Sequence, residues 1–219
     1  ARKTLDSILS ARRRGEGVGP VWKAFEELLR ETYQTTVRTA PDLPEPDYLM
    51  ARVERARMRV DSAETFLNKA LSKDPNYAPA LYEHLVCLAY KGYSLARTRG
   101  LDNLEIGQDL QRQLKETAVR LEAVLAVKSE GVNESQRRVA RAFSAYVSDR
   151  KSEARLLFEE ALRIDPALVE VVEGLAWLET NIDELERIYS KALDYDAGYT
   201  AFWTARAYVR ASRAQAQDK

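Results

Sequence analysis

At 219 residues the chain has room for one or two domains with a real core, and 45% hydrophobic with 31% charged residues excludes a disordered polyelectrolyte. Its 34 Lys and Arg against 34 Asp and Glu leave no net charge, which removes the basic field that general binding to nucleic acid or an anionic membrane needs. One cysteine, Cys87, and one histidine, His84, exclude a disulfide framework and the usual structural zinc cluster, and no apolar run reaches the ~18 to 20 residues that cross a bilayer. No cofactor or metal is expected. The chain begins with Ala1 and shows no secretory h-region, so a removed leader or a piece of a longer protein is expected. The compartment is left unassigned, leaning cytoplasmic, with the periplasm open if a leader or anchor was removed.

Residues 4–13 carry Leu5, Ile8 and Leu9 in a short helical stripe that Gly15, Gly17 and Gly19 close. Pro20 suits the first turn of a second helix, whose Trp22, Phe25, Leu29 and Tyr33 share one face opposite Glu26, Glu27 and Arg30. Pro41, Pro44 and Pro46 then break the pattern. Residues 1–40 therefore read as an N-terminal helix pair and 41–46 as a linker.

A self-similar pattern follows. Ala51, Ala63, Ala70 and Pro75 are spaced by 12, 7 and 5 residues, and Ala142, Ala154, Ala161 and Pro166 repeat the same 12, 7 and 5. Asp74 and Asp165 precede the two prolines, which close the segments FLNKALSKDP and LFEEALRIDP. A weaker third copy runs from Leu175-Ala176 to Ala192 and, 15 residues on, to Ala207. Small residues at such points let antiparallel helices settle to ~8 to 10 Å, and Asp-Pro ends the second helix of each pair. A single helix pair cannot bury its apolar face, so such units must stack.

With Leu67, Phe158 and Tyr189 three residues before the last small position, and with the closing Asp-Pro, the pattern resembles the tetratricopeptide repeat (TPR). The resemblance is good over 47–77 and 135–167, fair over 168–197 and partial over 198–213, which resembles a capping helix; Trp203 falls where the family often places a large residue in the first helix. It is poor over 78–134, where a first helix from Ala78 to about Arg97, an insertion around TRGLDN and a partner helix from about Leu104 to Val127 are all expected. The expected fold is an all-α solenoid of antiparallel helix pairs, a TPR-like superhelix over 47–213 behind the N-terminal pair, with 214–219 as a tail.

Nothing in the sequence builds a catalytic site. His84 and Cys87 share a helical face but lack a third orienting group, and read as core residues. GEGVG (Gly15 to Gly19) has no preceding strand and no following Lys-Ser/Thr, and reads as an interhelical loop. Glu159, Glu160, Glu116 and Glu122 read as solvated faces, and Ser135 of Asn133-Glu134-Ser135 as a helix cap. Arg52, Arg55, Arg57 and Arg59 form a basic cluster that Arg137, Arg138 and Arg141 echo. Acidic neighbours interleave it, so an acidic peptide suits it better than RNA.

The resemblance implies that first helices line a concave groove. In that register the groove carries Tyr48, Arg52, Arg55, Tyr82, Val86, Val139, Phe143, Tyr146, Trp177 and Tyr208, an aromatic series with an arginine patch at one end. Aromatic and arginine side chains are the usual anchors of protein interfaces. The lysine and asparagine of chaperone-tail clamps are missing, since Tyr48 and Arg52, or Tyr82 and Val86, stand there. The expectation is thus a non-enzymatic protein–protein interaction scaffold that binds a peptide or helix, with an acidic partner favoured and neither nucleic acid nor membrane insertion. The alternatives are a regulatory or sensor segment of a larger protein, such as a bacterial Ser/Thr kinase or a secretion or envelope-assembly factor, and a helical enzyme whose site spans the irregular 78–134 region. A homodimer through Phe202 and Trp203 of the last helix is a further option.

Overall fold

A computed structural model describes residues 19–99, 108–127, 131–166, 168–195 and 200–217. Among them are ten α-helices and no strand: α1 (Gly19–Thr39), α2 (Glu45–Ala56), α3 (Val60–Lys73), α4 (Ala78–Arg99), α5 (Gln108–Val127), α6 (Glu134–Val147), α7 (Lys151–Ile164), α8 (Val169–Leu178), α9 (Ile182–Tyr195) and α10 (Thr200–Gln217). Each helix from α1 to α10 packs on the next, and α2, α4, α6 and α8 also touch in order. Residues 57–59, 148–150 and 179–181 reverse the chain, so α2–α3, α6–α7 and α8–α9 are antiparallel pairs. The protein is an all-α stack of helix pairs.

The turns of α2–α3 and α6–α7 match residue for residue. Met58 (φ 62°) and Asp149 (φ 59°) are the non-glycine residues with left-handed backbone among those described. The amide of Met58 donates to Arg55 O at 2.8 Å and that of Arg59 to Glu54 O at 2.9 Å; Asp149 donates to Tyr146 O at 3.0 Å and Arg150 to Ala145 O at 2.9 Å. One left-handed residue thus folds its own amide and the next one back onto orphan carbonyls of the last turn. Both second helices end alike, with Asp74 and Asp165 extended and their amides returned to Ala70 and Ala161. Proline follows in each case, and it disfavours helix in the residue before it.

Ala51, Ala63, Ala70, Ala142, Ala154 and Ala161 are all fully buried, as are Leu67 and Phe158. Ala176 and Ala192 of the third copy are buried too, but Ala207 faces solvent and α10 buries Ala205 and Val209 instead. Among the described helices α10 packs chiefly on α9, so one narrow stripe suffices and its phase is free to shift. At α8 the approach is closest: a Cβ on Gly174 would lie 2.7 Å from both Cε1 and Cε2 of buried Phe158. Alanine would gain roughly 1 kcal/mol of helix propensity there, yet overpacking at a buried ring costs about 1–3 kcal/mol. Gly174→Ala is therefore expected to lower stability by about 1–2 kcal/mol in urea unfolding, with Phe158→Leu recovering part of the loss.

Several expected boundaries shift. Pro46 lies inside the first turn of α2, where a missing amide is harmless, so the linker ends before Glu45 rather than after 46. The helix α10 continues through Gln217, into the stretch expected as a tail. Asn133, not Ser135, caps α6: its side chain accepts from the Gln136 amide at 2.9 Å, the Gln136 side chain accepts from the Asn133 amide at 3.0 Å, and the Ser135 hydroxyl donates to Asn133 Oδ1 at 2.8 Å. Helix α4 is described to Arg99 and α5 from Gln108 to Val127. The expected helix over 4–13, most of GEGVG and the heart of the insertion lie outside the described residues.

Candidate functional site

The first helices do not leave an open trough. In a stack that curves gently, α4 and α8 would be held apart by α6, yet here they pack directly on each other. The Tyr82 hydroxyl of α4 donates to the Glu170 carboxylate of α8 across 88 residues of sequence. Tyr82, Val86, Val139, Phe143 and Trp177 belong to one core, with the Phe143 and Trp177 rings 5.9 Å apart and half-buried Tyr146 5.6 Å from Trp177. Tyr48 is buried against Tyr77 at 5.7 Å, with the Arg52 guanidinium 5.8 Å from its ring, and only Tyr208 stands exposed, on α10. The residues expected to line a groove are thus brought together, but mostly as core. The physical reason is area: aromatic side chains bury ~150–250 Å² each, so closing the trough gains more than leaving it wet.

Closure also gathers carboxylates that sequence reasoning missed around Arg55. Arg55 of α2 pairs with Glu83 of α4, whose side chain is 4% exposed. Glu170 and Glu173 of α8 are buried beside them. Burial opposes the charge on Arg55, but Glu83 and Glu170 outweigh it and hold the guanidinium protonated. Burial above all, then the neighbouring Glu170, lifts Glu173 to about 8, with Arg55 pulling the other way. Glu173 is therefore a neutral acid at pH 7, and its Oε1 has no hydrogen-bond partner. The signal was present: Glu83 sits within PALYEHLVCLAY, and Glu170 and Glu173 within ALVEVVEGLAWL, carboxylates set in near-continuous apolar runs. No substrate reaches Glu173, which is 2% exposed. Burial likewise pushes the Cys87 thiol far up and His84 down, so that pair supplies no nucleophile.

The surface offers a different feature. A cleft of ≈ 480 Å³ lies between α7 and α9, over α8. Leu162, Val172, Leu175 and Ile188 are among the apolar side chains lining it, and Arg155, Glu159, Arg163, Glu184, Arg187 and Lys191 are its charged ones. Arg155 bonds to Glu179 at 3.0 Å, and Arg187 to Glu184 at 2.7 Å. Arg163 lies 4.0 Å from Glu160, which already accepts from Arg138 at 3.1 Å. Among the described residues Lys191 forms no ion pair, no group of acids, His and Cys is suited to a metal, and no helix is long and apolar enough to cross a membrane.

No family model matches this chain, and no curated protein matches it. Among solved structures the chain is similar to an assembly chaperone of RpL4, Acl4, at 13% identity over 99% of this chain and 98% of that one, with a TM-score of 0.31. At that level neither fold nor function transfers.

Proposed function

We propose that the chain is a non-catalytic protein-binding scaffold that works through the α7–α9 cleft, and that its helix pairs are tetratricopeptide-like units. The cleft carries the reading: an apolar floor under a mainly cationic rim is what a partner segment needs for both burial and orientation. The matched turns of α2–α3 and α6–α7 support the repeat assignment. The inner face supports no docking, because its aromatic residues already form the core.

The test is a partner that co-purifies with the native protein. Replacing half-buried Ile188 by serine is expected to weaken that partner by about 2 kcal/mol, roughly thirtyfold, with helicity unchanged. Tyr208→Ala, outside the cleft, is expected to leave it intact. Loss with Tyr208→Ala and retention with Ile188→Ser would move the site to α10.

A further inference from the structure

We infer that the cleft takes a partner segment in which aliphatic side chains adjoin carboxylates, the aliphatic part over α8 and the acidic part beside Arg163 and Lys191. This rests on the cleft reading above and adds the chemistry of the occupant and the end of the cleft that its acidic part takes.

The argument is the uneven distribution of charge along the cleft. Toward the N-terminal ends of α7 and α9 the cations are spent. Arg155 is held by Glu179 and by the Leu178 carbonyl at 3.1 Å, and Arg187 is held by Glu184 and attracted by Glu159. Toward the C-terminal ends the balance changes. Arg163, in the last turn of α7, is 4.0 Å from a carboxylate that another arginine already holds, and Lys191 has no acid partner among the described residues. The negative end of the α7 dipole offsets only about half a charge there. One end of the cleft is thus neutral and the other carries unspent positive charge, while Val172 and Leu175 of α8 give it an apolar floor.

The occupant follows from that layout. A cleft of ≈ 480 Å³ holds two or three aliphatic side chains but not a folded domain. The unspent cations then favour carboxylates on the continuing segment and reject lysines, which would meet like charge. A uniformly apolar segment would leave the cations unanswered, and a uniformly acidic one would leave the floor empty.

The experiment is fluorescence anisotropy on the full chain with a labelled peptide carrying a leucine pair followed by a run of glutamates. Saturable binding is expected, weakened about tenfold when the glutamates become glutamines, and similarly by Arg163→Glu with Lys191→Glu, as two rim charges reversed together should do. Raising salt is expected to weaken the glutamate peptide and leave the glutamine one unchanged. If both peptides bind equally and Ile188→Ser abolishes both, the acidic selectivity is overturned while the cleft reading stands. If neither Ile188→Ser nor the double reversal changes binding, or if the leucine–glutamate peptide does not bind, the inference is overturned. The partner's response to Ile188→Ser then decides the cleft reading separately.

Discussion

Arg55→Met is expected to lower stability by about 3 kcal/mol, the usual result of stripping the cation from a buried pair. Arg55 is the cation that electrostatically faces Glu83, Glu170 and Glu173, and its own side chain is 22% exposed, so water offsets part of the loss. Glu83, 4% exposed, has no second cation in contact among the described residues. Glu83→Gln in the same chain is therefore expected to restore much of the lost stability, since it removes the stranded charge. Urea unfolding at neutral pH measures both variants. An unchanged midpoint for Arg55→Met would mean that this seam is wet and open rather than closed.

Glu173→Gln is expected to stabilise the protein, and to do so only above acidic pH. In the folded chain the carboxyl keeps its proton up to about 8, whereas the free group releases it at its ordinary 4.5. Between those values the folded state binds more protons than the unfolded one, so stability is full below about 4.5 and falls as pH rises toward 8. The slope approaches ~1.4 kcal/mol per pH unit for one group. Glutamine keeps the shape and cannot ionise, so the variant is expected to match the parent near pH 4.5 and to exceed it by about 2 kcal/mol or more at pH 8. Unfolding curves across that range supply the check, and parallel pH profiles for the two proteins would contradict the assignment.

Local rules were legible in the sequence, and long-range closure was not. The alanine spacing marks where helices cross, and those alanines are buried because each pair's geometry is set by residues a few turns apart. The left-handed Met58 and Asp149 carry no glycine signal, so the shared turn shows only in the backbone. The residues assigned to a groove do lie on the first helices. What spacing does not encode is the accumulated rotation from pair to pair that swings α8 onto α4, because a contact across 88 residues depends on every intervening crossing. The α7–α9 cleft was missed for a related reason. The helix α8 has 10 residues against 14 in each flanking helix, about 15 Å of rod, and so it makes a short floor between taller walls. The carboxylates of α8 were readable as anomalies in an apolar run, but only the closure gives them one another as neighbours.

Hydrogen exchange on the full chain most directly tests whether the inner face is closed. If α4 and α8 are packed on each other as core, the amides of residues 81–88 and 171–177 should exchange together in the slowest class, through global unfolding. Exchange in 171–177 that is orders of magnitude faster than in 81–88, with the rest of the chain protected, would mean that α8 opens away from α4 and exposes an aromatic trough.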